Sequence, residues 1–316
     1  MPKGISVHVG VNHTLAAEIS APPLKGCVKD AQAMHRLARA GGYGGPEPLV
    51  EEEATFDAVI FEIKKAAAEL QEGDSFLFTF SGHGTRRAAE DFSETDSKDE
   101  TLVLRDRLLV DNVFRRLLWP KFAAGVHCVA IADSCYSGGS FMLPIGDEAL
   151  ALNAVGAFAG EGAMNVVGKS LLKVNGRSLA MRGAVTLEEE DEFSVNRNSM
   201  FEEKTISLEQ ALIHYSDLET FYTEIRNSLP AQAPPILASL TLIGACDENL
   251  KALDGEPNGF FTEQLLKAFE QNHQLTFEQL ITQLQTEFEL SPRRPTLDFA
   301  GLPLPAVFAT KPAFTV

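Results

Sequence analysis

Two short stretches constrain this chain more than any other feature. Ser75–Phe80 and Val126–Ala132 are nearly continuous apolar runs, and a strand without a polar face has to be covered on both sides. Each run leads directly into polar, glycine-rich sequence. The first continues as Ser81-Gly82-His83-Gly84, and the second as Asp133-Ser134-Cys135-Tyr136-Ser137-Gly138-Gly139. In an open parallel sheet, ligands bind in the crevice at the carboxyl ends of the strands. A histidine and a cysteine are therefore expected at the place where such a sheet does its chemistry.

The surrounding pattern supports that sheet. Ile5–Val11 reads as a first strand, and Cys27–Ala40 as a helix closed by Gly41-Gly42. Pro48–Val50 reads as a short strand, and Phe56–Leu70 as a helix with Val59, Ile60, Ile63, Ala66, Ala67 and Leu70 on one face. Asp111–Trp119 reads as a helix and Leu237–Ala245 as a further buried strand. Helices are expected over Gly259–Gln271 and Thr276–Phe288, and an edge strand at Ala306–Ala309. Alternating strands and helices imply a mostly parallel α/β sheet with helices on both faces. Two stretches break the rhythm. Arg86–Lys98 is polar and reads as a loop, and Gly146–Lys204 reads as an insertion or long connection.

Composition narrows the partners. The 316 residues include 27 basic and 44 acidic ones, a formal charge of −17. So acidic a surface repels nucleic acid and anionic membrane and attracts cationic ligands. No apolar run is long enough for a membrane-spanning helix, and the first residues lack a signal-peptide core. A cytoplasmic location is the expectation. The four cysteines stand far apart with no CxxC pair, which argues against a disulfide framework or a structural zinc site.

The chemistry follows from the strand ends. An imidazole facing a thiol across a cleft takes its proton and yields a nucleophilic thiolate, and such positioned base catalysis contributes typically ~10²–10⁴-fold. The amides of Gly84 and Cys135 are candidate oxyanion donors. Asp133 lies two residues before Cys135, so on an extended strand end it projects to the same side.

The motifs SGHG, Asp99–Asp106 (DETLVLRD) and DSCYSGG resemble the metacaspase and prokaryotic orthocaspase branch of the caspase-fold cysteine peptidases. His and Cys are separated by about fifty residues, as in caspases. The likeness extends to Gly10-Val11-Asn12, Leu24–Asp30, Ile243–Glu248 and Gly259–Thr262. It implies a caspase-like (caspase-hemoglobinase) fold with a mostly parallel sheet of about six strands. Residues 1–145 would form a large-subunit-like part carrying His83 and Cys135. Residues 146–204 would be a linker open to processing, and 205–316 a small-subunit-like part completing the same domain.

The resemblance implies His83 as general base, Cys135 as nucleophile, and Asp30, Ser81 and Asp133 as the primary specificity pocket. A carboxylate pair holds a guanidinium by charge-assisted hydrogen bonds. The expected activity is therefore endopeptidase cleavage after basic residues, Arg preferred over Lys, through a thioester. The alternative is a catalytically silent scaffold on the same fold. The calcium site of many metacaspases maps onto Asp99, Asp111 and Asn112. Asn112 stands where a second aspartate is common, and Met142 replaces another, a poor ligand for calcium. No required cofactor and weak or absent calcium dependence are expected. The basic residues from Lys169 to Lys204 fit the proposed pocket, so the connection is a candidate for cutting by the enzyme itself or by an upstream protease. By resemblance the chain is expected to be a monomer.

Overall fold

The apolar stretches Gly4–Gly10 (β1), Ser75–Ser81 (β3) and His127–Asp133 (β7) lie parallel at the centre of one sheet. Every residue in them is buried, as a strand covered on both faces requires. The computed structural model describes residues 2–14, 21–88, 98–135, 202–246, 251–288 and 294–316. Leu49–Val50 (β2) pairs parallel with β1, and Ser239–Gly244 (β8) pairs parallel with β7. Thr296–Gly301 (β9) is antiparallel to β8 and closes the far edge, giving the order β2-β1-β3-β7-β8-β9.

Alternation along the central strands feeds two cores. Phe76, Phe78 and Phe80 join Val59 and Ile63 of the helix Phe56–Glu69 (α2), together with Phe114, Trp119 and Phe122. Each of those three buried phenylalanines contributes about 1.5–3 kcal/mol. Leu77, Val129 and Ile131 face the other way, onto Met34 of the helix Cys27–Ala40 (α1) and onto Leu265 and Ile281. α2 starts where Thr55 accepts a hydrogen bond from the Ala58 amide at 3.3 Å. The expected helix after Asp111 begins as Asp111–Val113 (α3), widens to a π-helical turn over Phe114–Leu118 and ends in a 3₁₀ turn, Trp119–Lys121.

The later helices are Leu208–Asp217 (α4), Glu219–Ser228 (α5), Phe260–Gln271 (α6), Phe277–Glu287 (α7) and Ala306–Ala309 (α8). A capping box between Thr276 and Gln279 starts α7.

Two expectations are corrected. The polar stretch Arg86–Lys98 is not a loop throughout. Its ends belong to Gly84–Ala88 (β4) and Lys98–Val103 (β5), which form a small antiparallel sheet with Leu108–Val110 (β6); residues 89–97 lie outside the described residues. Ala306–Ala309 is a helical turn rather than an edge strand, because four apolar residues carry no period and Pro305 sets the backbone at its start. The edge strand is Thr296–Gly301 instead. α4 and α5 fall in a part of the sequence for which no element was expected. Of the expected connection 146–204, only Glu202, Glu203 and Lys204 are described.

Candidate active site

Register brings the polar strand ends level. Ser81 at the end of β3 stands opposite Asp133 at the end of β7, and the Gly82 amide donates to the Asp133 carbonyl at 3.4 Å. His83 and Cys135 leave the sheet at this same edge. Their segments touch: a side chain at Gly84 would collide with the Cys135 carbonyl oxygen, so the approach requires glycine there.

The cleft at this edge is filled by the chain itself. Residues Glu202–Ile206 cross it with a turn at Lys204, where the Thr205 amide donates to the Glu203 carbonyl at 2.9 Å. The Lys204 carbonyl accepts from both the Gly84 amide (2.9 Å) and the Cys135 amide (3.2 Å). The Lys204 amide donates to the Ala252 carbonyl at 3.0 Å, and the Asp254 amide donates to the Glu202 carbonyl at 2.7 Å. Glu203 is bridged antiparallel to Leu253, and Thr205 parallel to Gly84. One carbonyl is thus held by two backbone amides, those of the residue after His83 and of Cys135 itself.

The Lys204 side chain is fully buried between the two expected pocket acids. Its Nζ lies 3.0 Å from Asp133 Oδ1, 3.3 Å from Asp30 Oδ2 and 2.9 Å from Ser81 Oγ. Both carboxylates are fixed by further donors. Asp30 accepts from Ser81 Oγ (2.7 Å), Asn258 Nδ2 (2.9 Å) and the Gly259 amide (3.0 Å). Asp133 accepts from Thr262 through its Oγ1 (2.6 Å) and its amide (3.2 Å). A side chain at Gly259 would run into Lys204 Nζ. Burial pushes the Asp30 carboxyl up, and the Lys204 ammonium opposes it. Lys204 itself is raised, because the neighbouring acids, Asp133 first, outweigh its own desolvation. The ammonium is charged, and breaking such a buried group typically costs about 3–5 kcal/mol.

His83 and Cys135 face this segment as a neutral pair. His83 Nε2 lies 3.0 Å from the Pro22 carbonyl. A carbonyl only accepts, so the ring proton is assigned to Nε2 and the lone pair to Nδ1. Among the described residues, Nδ1 is buried without a hydrogen-bond partner. Burial lowers the imidazole to about 4, with the Lys204 charge adding to the shift and the Pro22 bond opposing it. The Cys135 thiol is pushed up by burial. It donates to the Ala252 carbonyl at 3.6 Å, the acceptor that also holds the Lys204 amide. Among the described residues no hydrogen bond joins the two side chains directly. In this state the proton resides on sulfur and the imidazole is neutral.

A caspase domain, the family Peptidase_C14, matches residues 5–313. The chain belongs to the caspase domain family. Metacaspase-1 of Schizosaccharomyces pombe is 24% identical over 275 residues, covering 82% of this chain and 59% of that protein. Metacaspase-4 of Arabidopsis thaliana is 35% identical over 126 residues, covering 37% of this chain and 30% of that one. The chain thus spans less than two thirds of the length of these relatives. The crystal structure of protein GSU0716 from Geobacter sulfurreducens matches 100% of this chain and 99% of its own, with a TM-score of 0.70 and 26% identity.

Within this caspase domain Asp30, Ser81 and Asp133 surround the Lys204 ammonium, and the Gly84 and Cys135 amides share the Lys204 carbonyl, while His83 leaves the end of β3 between Gly82 and Gly84. Of the expected calcium residues, only Asp111 and Asn112 have described side chains. The Asp99 side chain lies outside the description. Asp111 accepts from the Asn112 amide at 2.5 Å, and Asn112 Oδ1 accepts from Arg115 at 3.0 Å. Among the described residues, no three His, Cys, Asp or Glu side chains converge on a metal position.

Sequence reasoning missed four contributors. Pro22 and Ala252 act through backbone carbonyls, which carry no sequence signal. Asn258 precedes and Thr262 ends the Gly259–Thr262 stretch that the resemblance singled out, without a role being read from it. Lys204 was noticed only as one basic residue among several.

Proposed function

We propose that this chain is a cysteine endopeptidase that cleaves after basic residues, and that Lys204–Thr205 is its first substrate bond. The observation that carries the reading is the Lys204 pose: ammonium between two buried carboxylates, carbonyl on two amides, and amide on the Ala252 carbonyl that also accepts from the Cys135 thiol. Cys135 Sγ attacks the Lys204 carbonyl carbon while His83 Nδ1 takes the thiol proton. The Gly84 and Cys135 amides hold the oxyanion. Nδ1 then protonates the Thr205 nitrogen as the peptide bond breaks, leaving a thioester for water to hydrolyse. Arginine is preferred over lysine in other substrates, because a guanidinium reaches Asp30 and Asp133 with paired donors. Aspartate in the same position meets like charge and is rejected. Processing at Lys204 would free the pocket for such substrates.

Fluorogenic peptides ending in Arg, Lys, Asp or Asn, tested on wild type and Cys135→Ala with and without calcium, check this. Turnover of Arg and Lys peptides by wild type alone is expected, along with a nick after Lys204 in the mass spectrum. Turnover confined to Asp peptides would overturn the pocket assignment. No turnover of any peptide would favour a binding or scaffolding role for the fold.

A further inference from the structure

The residues on the far side of the Lys204–Thr205 bond are anchored independently of Lys204. The Ile206 amide donates to the Gly84 carbonyl at 3.2 Å, and Thr85 Oγ1 donates to the Ile206 carbonyl at 3.3 Å. The Ile206 side chain is buried in an apolar cluster with Val103, Leu108, Ala211 and Tyr222. The Tyr222 hydroxyl in turn accepts from the Leu108 amide at 2.8 Å. None of these contacts passes through the bond to be cut.

We infer that the enzyme also works as a peptide ligase at this bond, resealing Lys204 to Thr205 after cutting it. This rests on the proposed cleavage after Lys204. Breaking the bond leaves a thioester between Cys135 Sγ and the Lys204 carbonyl carbon, and a new amine on Thr205. That amine stays seated, held through Ile206, in the place an attacking water has to take. Its nitrogen attacks the thioester carbon, the C–S bond breaks, and the amine proton passes to His83 Nδ1 and on to the thiolate. Peptide and thiol are restored with no further reactant. Well-oriented intramolecular partners reach effective molarities of order 10⁵–10⁸ M, far above the concentration of water. Resealing therefore outruns hydrolysis for as long as Ile206 remains docked. A nick alone does not open the downstream half of the cleft; undocking of Ile206 does.

The test uses the full chain, incubated until the ratio of intact to nicked protein is constant, after which H₂¹⁸O is added. Hydrolysis of the thioester also runs backwards: Cys135 Sγ attacks the protonated Lys204 carboxyl, a C–O bond breaks, water leaves, and the thioester forms again for Thr205 to take. Nicking is therefore expected to stop short of completion, and the intact protein is expected to gain ¹⁸O at the Lys204 carbonyl, read in the Lys204–Glu209 peptide released by a Glu-directed peptidase. Cys135→Ala should show neither. Ile206→Gly removes the buried aliphatic group and should shift the ratio toward nicked protein by roughly tenfold or more. Thr85→Val, which keeps the apolar packing, should shift it the same way by less. Nicking that runs to completion in wild type, or a plateau without label in the intact chain, overturns the ligase while leaving the peptidase standing. Absence of any nick while Lys peptides are turned over overturns it equally. Absence of both nick and turnover removes the peptidase reading as well.

Discussion

The two halves of the cleft hold the same short segment by opposite means. Upstream of the Lys204–Thr205 bond the grip is ionic and polar, with one ammonium, two carboxylates and the donors that fix them. Downstream it is apolar, with Ile206 packed into a small satellite core. A desolvated charge site discriminates sharply, because any occupant lacking the right charge leaves carboxylates buried and alone. An apolar pocket discriminates weakly and retains whatever fits. On the proposed reading, one half of this cleft selects and the other keeps.

Removing the selecting charge should give the largest effect. Lys204→Met keeps the stem and deletes the ammonium, stranding Asp30 and Asp133; a loss of about 3–5 kcal/mol is expected, together with disappearance of the nick after residue 204. Ile206→Ala should cost a similar amount, about 2–5 kcal/mol, through a cavity. The difference shows on pairing each with Asp133→Asn, with all variants read by urea denaturation. The stranded charge is partly relieved in Lys204→Met/Asp133→Asn, so that pair is less than additive. Ile206→Ala/Asp133→Asn should be additive. Additivity in both pairs would mean that the two halves do not differ as described.

That asymmetry also marks what the sequence made legible. The central strands, α1, α2, α6 and α7 follow from apolar runs, helical spacing and stop signals, all local properties. The ends of two such strands announced His83 and Cys135, and resemblance supplied Asp30, Ser81 and Asp133. The small sheet was missed because β4 and β5 are polar and exist only by pairing with each other and β6. Lys204 as occupant was equally illegible: it lies 174 residues from Asp30 in the chain, and nothing local distinguishes it from Lys169 or Lys173. Pro22 orients His83 by a backbone carbonyl, which any residue would supply.

His83 is buried at the strand ends that the segment covers, and the Lys204 charge is among the causes that shift it, so its titration reports whether the segment is in place. With the segment seated, burial and the Lys204 charge hold the imidazole down to about 4, against the pull of Pro22 and Asp254. A base acts only while unprotonated, so activity falls as pH drops through its pKa. Self-nicking of the occupied chain should therefore persist in acid to nearly pH 4 (roughly the lowered value). Once the segment is displaced, water and the loss of the Lys204 charge return His83 toward about 6.5, its ordinary value. The acid limb for added Lys peptides should sit correspondingly higher, by up to ~2 pH units. Coincident limbs in the two assays would mean that the segment does not control the base.

The smallest effect belongs to a residue that never touches the substrate. Thr262 donates to Asp133 Oδ2 through its hydroxyl and its amide, while Asp133 Oδ1 meets the ammonium at 3.0 Å. Thr262→Val retains the shape and the amide and removes one donor. The hydroxyl therefore acts through Asp133, keeping the carboxylate turned toward the occupant of the pocket. Hydrogen bonds to charged groups contribute about 1.5–3 kcal/mol, and the remaining amide offsets part of that loss. A fall of roughly five- to tenfold in kcat/KM for Arg and Lys peptides is expected, carried by KM rather than kcat, since the reacting atoms are untouched. Thr262→Ser should restore it. Loss in kcat, or no rescue by serine, would show that Thr262 serves packing of α6 alone and leaves Asp133 to be oriented by its own strand.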